Sequence, residues 1–285
     1  MGDYQGKVVV VTGGGSGLGA AMADLFAIQG AKIALLDIDF ERAEAKAVML
    51  RQGGTDALAV HIDVSDKASV LAAADAVRTR FGVVHVLCAN VGVQQFGAIE
   101  ALTEQDWDWV FSVNVRGVIN TVDAMLPLLR AGEGARHIVL TASASFFQFG
   151  VRMAAYVATK YAVVGYGEVL RRELAEEGIN VALLFPAGMA TRHLESSIAA
   201  RPVELGVSRL DMGDIQAMMA SADVDPTAIV TPEHAVRNLL PELASNALYI
   251  FTHGTYRHQI EAQQQQVLAA FDRMAEATDT ITDGK

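Results

Sequence analysis

The run from Lys7 to Thr12, K-V-V-V-V-T, leads without a break into T-G-G-G-S-G-L-G, from Thr12 to Gly19, and a helical pattern then extends from Leu18 to Gln29. A short β-branched run without polar alternation reads as a strand buried on both faces, as in a parallel sheet. Strand, glycine turn and helix in that order commit the chain to a βα unit of the kind that holds a dinucleotide. Gly13 permits the tight turn. Gly17 lets backbone approach a pyrophosphate, and Gly19 lets the helix pack against the strand. The helix N-terminus offers free N–H groups and the positive end of its dipole to phosphates. Ser16 and Leu18, in the same turn, join the candidate cofactor-binding positions.

The rest of the chain repeats the alternation. Strands are expected near 7–12, 32–37, 57–62, 84–89, 136–142, 179–185 and 247–251, with helices between them. Thr103-Glu104-Gln105-Asp106 reads as a capping box. Gly178 stands where a helix stops, and Thr231-Pro232 reads as an N-cap followed by proline at the first helical position. No Pro/Gly/Ser linker and no repeat divides the 285 residues. The expectation is one α/β domain over residues 1–285: a doubly wound, mostly parallel seven-stranded sheet with helices on both faces. Ligands of such sheets bind outside the carboxyl ends of the strands. Gly13, Asp37, Asp63, Asn90, Ser143 and Pro186 all follow strand ends and should converge there.

Tyr156 and Lys160 stand four residues apart in Y-V-A-T-K, and Ser143 lies thirteen residues before the tyrosine. Residues i and i+4 share a helix face, so an ammonium can sit beside the phenol. Free tyrosine titrates near ~10 and is a poor base at neutral pH; a nearby cation favours the phenolate. A serine hydroxyl from a neighbouring strand end can hold a substrate oxygen while the tyrosine moves its proton.

The T-G-x-x-x-G-x-G turn combined with Ser143, Tyr156 and Lys160 resembles the short-chain dehydrogenase/reductase family in its single-domain branch, over about residues 5 to 192. The resemblance implies hydride transfer between a carbinol carbon and a nicotinamide. Tyr156 would act as acid or base, Lys160 would lower its pKa and bond the nicotinamide ribose, and Ser143 would fix the substrate oxygen. Asn114 would hold a water beside Lys160. Ser145 is a rival to Ser143 with a spacing that fits less well. Asp37 would bond the adenosine ribose. With Ile38 next to it and no Lys or Arg in the glycine loop, NAD is expected over NADP. Asp63-Val64 would lie against the adenine, and Ala89-Asn90-Val91-Gly92 stands where the family has N-N-A-G. Pro186-Ala187-Gly188-Met189-Ala190-Thr191 resembles the segment that cradles the nicotinamide carboxamide, with Ala187 in place of the usual glycine. A homodimer or homotetramer is implied, with the Asn114 and Tyr156 helices forming one interface.

Composition bounds the rest. A net charge of −11 without a basic stripe argues against nucleic acid. The single cysteine, Cys88, excludes an intrachain disulfide and reads as a buried small hydrophobe. No stretch is apolar enough to span a bilayer and no signal peptide is visible, so a cytoplasmic protein is the default. No cluster has metal-ligand spacing, and no catalytic metal is expected. The segment at about 191–231, with His193, Leu194, Met212, Met218 and Met219, would fold over the substrate, as the family resemblance implies. Val93, Phe149, Met153 and His193 are candidate pocket residues; the aromatic run Phe146-Phe147-Gln148-Phe149 with Met153 and Val93 suggests a bulky apolar secondary alcohol. The tail at about 255–280 reads as a further helix with an apolar stripe of Ile260, Val267, Leu268, Phe271 and Met274, packed on its own subunit or on a neighbour. Three other readings stay open: an NADP-linked carbonyl reductase, a non-catalytic NAD-binding sensor, and a nucleotide-fold methyltransferase.

Overall fold

Seven apolar runs become the strands β1 (Val8–Thr12), β2 (Lys32–Asp37), β3 (Ala57–His61), β4 (Val86–Ala89), β5 (Arg136–Thr141), β6 (Ile179–Phe185) and β7 (Tyr249–Phe251). The computed structural model describes residues 4–207, 210–222 and 225–282. All seven strands join one sheet in the order β3-β2-β1-β4-β5-β6-β7, and every neighbouring pair is parallel. The register runs Val9↔Ile33 on one side of β1 and Val9↔Val86 on the other.

The absence of polar alternation is explained by burial on both faces. Val10, Leu36, Leu87, Ile138 and Leu140 point into one core, and Val9, Val11, Ile33, Leu35, Val86 and Val139 into the other. Burying a side chain of this kind stabilises by about 1.5–3 kcal/mol, so a polar residue on either face of a central strand would be costly. The first core is covered by α3 (Lys67–Phe81), α4 (Glu104–Phe111), α5 (Gly117–Ala131) and α6 (Ala154–Leu174). The second is covered by α1 (Gly17–Ile28), α2 (Phe40–Gln52), α9 (Pro232–Ala235) and α10 (Leu239–Ala244). Between β6 and α9 lie α7 (His193–Ala199) and α8 (Met212–Ser221), and α11 (Arg257–Thr282) follows β7.

The expected stops and starts are present. Thr103 and Asp106 form the reciprocal capping box of α4, and Thr231 caps α9 by accepting from the His234 N–H. Gly178 turns with φ +68° between α6 and β6. Close packing of α6 on the sheet depends on Gly167, where a Cβ would lie 2.6 Å from the Leu183 side chain. That contact fixes how near the sheet edge α6 begins, and so where Tyr156 and Lys160 stand.

The tail departs from a packed helix. Gln263 donates to the Tyr161 hydroxyl at 2.8 Å and Ile260 is half-buried, but Val267, Leu268, Phe271 and Met274 are each more than half exposed. Val267, Leu268 and Phe271 therefore leave most of the stripe's surface exposed. No helix among the described residues is long and apolar enough to cross a membrane.

Candidate active site

The sheet order reverses between β1 and β4, one strand running to α1 and the other toward α4, and a crevice opens at their carboxyl ends. It is a cavity of about 920 Å³ that extends from Gly13, Ser16 and Asp37 at one end to Ser143, Tyr156 and Lys160 at the other.

Local backbone chemistry builds the first end. Gly13 has φ +66°, and its N–H donates to the Leu36 carbonyl at 2.7 Å. A Cβ on Gly19 would lie 2.0 Å from the Gly13 carbonyl oxygen; only glycine lets α1 start this close to β1. Asp37 accepts from the Gly15 N–H at 2.9 Å and the Asp39 N–H at 3.0 Å. Burial raises its pKa, and those two hydrogen bonds oppose the rise. Ile38, Asp63 and Val64 line the same end, with Asp63 accepting from the Ser65 N–H and hydroxyl. Asn90 ties three strand ends together: its N–H donates to Thr12 Oγ1 at 3.0 Å, its amide donates to the Thr12 carbonyl at 3.2 Å, and its Oδ1 accepts from Thr141. A strand-end glycine turn, a half-buried acid and a long cavity fit a dinucleotide.

The glycine loop carries no cation, but one comes from the next helix. Arg42, in the first turn of α2, lines this end and acts on the Asp37 carboxylate, while its guanidinium pairs with Asp39 at 2.9 Å. The signal was available, because the first turn of the helix after a strand end always borders the strand-end crevice.

At the other end, Ser143 follows β5 and caps a single 3-10 turn, accepting from the Ser145 N–H at 3.1 Å. Tyr156 and Lys160 share one face of α6. The Lys160 ammonium lies 5.6 Å from the Tyr156 ring centroid and donates to the Thr141 carbonyl at 3.0 Å. Burial governs both groups. It pushes the Lys160 pKa down to about 8 and raises that of Tyr156, against a lowering contribution from the Ser143 hydroxyl. Desolvation of the buried phenolate is the larger of the two influences on Tyr156.

Asn114 occupies a π turn, Ser112–Arg116, between α4 and α5; such turns recur at functional sites. Its fully buried side chain accepts from the Val93 N–H at 2.7 Å and donates to the Val93 carbonyl at 2.9 Å and Thr159 Oγ1 at 3.1 Å. It clamps the backbone that follows β4. Gly92 sits between this amide and Lys160: a Cβ there would meet Lys160 Nζ at 3.3 Å and Asn114 Oδ1 at 3.5 Å.

Pro186, Gly188, Met189 and Thr191 line the cavity after β6. Met189 forms a bridge with Val230, and the Thr191 side chain lies over Gly17. His193 lines the cavity too, and burial, reinforced by Lys160, pushes its pKa down to about 4. Val93, Met153, Leu194, Met218 and Met219 also line it, while Met212 is largely exposed. Phe149 is a correction. It is half exposed and does not line the cavity, because the 3-10 turn after Ser143 swings it outward. Phe146 and Phe147 instead stack with Phe185, Phe251 and Tyr161 over the sheet end. Phe96 and Trp109 line the pocket without any periodic signal in the sequence; Phe96 packs edge-on against Tyr156 at 5.7 Å.

Comparison with known proteins agrees with this geometry. The family model described as short chain dehydrogenase matches residues 7–202. The chain is 32% identical over 269 residues, 94% of its length and 87% of the relative's, to a protein named C alpha-dehydrogenase from Sphingobium sp.. Among solved structures it is similar to a short-chain dehydrogenase/reductase from Burkholderia phymatum in complex with NAD, with a TM-score of 0.79 and 33% identity over 89% of this chain and 91% of that one. It is also similar to the apo form of LigO from Sphingobium sp., with a TM-score of 0.77 and 33% identity over 96% of this chain and 92% of that one. The chain belongs to the short-chain dehydrogenase/reductase family, whose members are nicotinamide-dependent oxidoreductases acting on CH–OH groups.

Proposed function

We propose that this protein is an NAD-dependent dehydrogenase that interconverts a bulky, largely apolar secondary alcohol and its ketone. The observation that carries the reading is the meeting of Ser143, Tyr156 and Lys160 at one end of a cavity whose other end is the Gly13–Gly19 turn and Asp37. NAD supplies the hydride acceptor when bound. The glycine turn and the first N–H groups of α1 hold its pyrophosphate, and the Asp37 carboxylate accepts from the adenosine ribose. Lys160 donates to the nicotinamide ribose. The Ser143 hydroxyl orients the substrate oxygen, and Tyr156 takes the hydroxyl proton during oxidation or returns it during reduction. Asn114 keeps the Val93 backbone in place beside them. The apolar lining of Val93, Phe96, Met153 and Met218 suits an aryl, alicyclic or steroid-like skeleton. Segment 191–231 serves as the lid over that skeleton, and the working unit is a homodimer or homotetramer in the cytoplasm.

A second reading rests on Arg42. Its guanidinium, paired with Asp39 at the adenosine end of the cavity, favours some use of NADP, as an NADP-linked carbonyl reductase would need. The test is initial-rate reduction of NAD⁺ and NADP⁺ across aliphatic, aryl and steroidal secondary alcohols. The reading expects turnover with NAD⁺ preferred. Tight NADH binding without turnover of any alcohol would favour a sensor instead.

A further inference from the structure

We infer that Arg201 is a positioning residue, a latch that holds the lid and the loop at Gln94–Phe96 in the geometry that Tyr156 requires; the inference rests on the dehydrogenase reading above. Arg201 does not line the main cavity and lies behind its wall. Its side chain is only 8% exposed, and its partner Asp106 6%, with Nη2 and Oδ1 2.6 Å apart. The guanidinium spends its fork on three further groups. Nη1 donates to the buried Gln95 Oε1 at 3.0 Å, Nη2 to the Leu205 carbonyl at 3.0 Å, and Nε to the Gly206 carbonyl at 2.9 Å. Its Cζ lies over the Trp109 ring, 5.6 Å from the centroid.

These contacts connect three parts of the chain. Asp106 belongs to the α4 capping box, where its other oxygen accepts from the Thr103 N–H and hydroxyl at 2.9 and 2.8 Å, so the anchor is rigid. Leu205 and Gly206 belong to the segment after α7. Gln95 precedes Phe96, whose ring packs on Tyr156. The same loop is pinned on its other side, where the Gln94 N–H donates to Ser197 Oγ of α7 at 2.9 Å. Arg201 thus ties the pocket wall of Phe96, Trp109 and Ala200 to the α4 cap, while Ser197 holds the same loop from the other side. A lysine could keep the charge opposite Asp106 but not the planar set of donors.

The test compares wild type with Arg201→Met, Arg201→Lys and Gln95→Met in hydrogen–deuterium exchange, NADH binding and NAD⁺-linked alcohol oxidation. The latch predicts exchange at residues 93–97 and 203–206 faster by about tenfold or more in Arg201→Met, since lost tertiary contacts lower local stability. NADH affinity should stay within about threefold. The value of kcat/KM should fall about 10–100-fold, as misplacement of reacting groups does, with kcat contributing and its pH profile displaced because Tyr156 loses its packed ring. Arg201→Lys should lie nearer the Met variant than wild type, and it carries the test together with Gln95→Met if Arg201→Met does not fold. Unchanged exchange and unchanged kcat/KM in these variants would overturn the inference. So would a loss of stability with kcat and its pH profile unaltered, which would make Arg201 structural only. If wild type oxidises no alcohol, the dehydrogenase reading fails, while the exchange rates still decide the latch.

Discussion

Replacing Lys160 by methionine should stabilise the protein while abolishing its chemistry. The lysine is 3% exposed, and burial moves its pKa from 10.5 to about 8. At about 1.4 kcal/mol per pKa unit, holding that ammonium charged in the folded state costs about 3 kcal/mol. Methionine has nearly the same volume and no charge. It leaves the Thr141 carbonyl, now paired with Nζ at 3.0 Å, without its donor, at a cost of about 1 kcal/mol. The net expectation is a variant about 2 kcal/mol more stable at pH 7. The gain depends on pH with a definite sign. Below about 8 the ammonium is charged in both folded and unfolded chains, and wild type bears the full penalty. Between about 8 and 10.5 the folded chain holds fewer protons than the unfolded one, so wild-type stability rises relative to the variant. Above that range the penalty is gone, and only the lost hydrogen bond separates the two. The assay is urea unfolding followed by the fluorescence of Trp107 and Trp109 at fixed protein concentration, at pH 7 and again near pH 10.5. A variant that is no more stable at pH 7, or one whose advantage persists undiminished at the higher pH, would refute the burial argument.

Other expectations follow from individual contacts. Asn114→Leu leaves both the N–H and the carbonyl of Val93 unpaired in a buried site; at about 1–3 kcal/mol for each such group, its urea midpoint should fall markedly and kcat with it. A midpoint equal to that of wild type would contradict the clamp. Gly19→Ala places a methyl 2.0 Å from the Gly13 carbonyl, so calorimetry should show NADH affinity reduced by about tenfold or more, as displacing α1 by overpacking costs about 1–3 kcal/mol. Asp37→Ala removes the carboxylate and leaves Arg42 facing the adenosine end. The ratio of kcat/KM for NADP⁺ to that for NAD⁺ should rise at least about tenfold, the equivalent of one charge-assisted hydrogen bond of about 1.5–3 kcal/mol. An unchanged ratio would remove Asp37 and Arg42 from cofactor discrimination.

The parts of this molecule that were legible in the sequence are those set by local pattern. A short apolar, β-branched run without alternation, bounded by turn residues, reads as a strand buried on both faces, and the limits of β2 and β6 agree with expectation to the residue. The capping box at Thr103 and the turn at Gly178 are read the same way, since each is a short-range hydrogen-bond or dihedral requirement. The grouping of Ser143, Tyr156 and Lys160 was legible because parallel strands deliver their ends to one edge. Less visible were effects of burial and of long separation. How strongly desolvation raises the Tyr156 pKa depends on how deeply α6 sinks onto the sheet. Arg201 and Asp106 are distant in the chain and meet only when the segment after α7 folds back over α4. Phe149 looked like a pocket residue by its nearness to Ser143, but a 3-10 turn reverses that nearness. The stripe of α11 has helical spacing, yet spacing states only that a helix has an apolar side; it does not say what covers it.

The most direct test of the account is isotope transfer. A secondary alcohol that the enzyme oxidises, deuterated at its carbinol carbon, is incubated with NAD⁺ and the protein, and the NADH formed is examined by mass spectrometry, with Tyr156→Phe alongside. The account predicts one deuterium in each NADH made by wild type. It predicts a rate about 10²–10⁴-fold lower in the variant, the usual contribution of a positioned acid or base, with NADH affinity close to that of wild type. NADH without deuterium, or a variant that keeps more than about a hundredth of the wild-type rate, would contradict direct hydride transfer assisted by Tyr156.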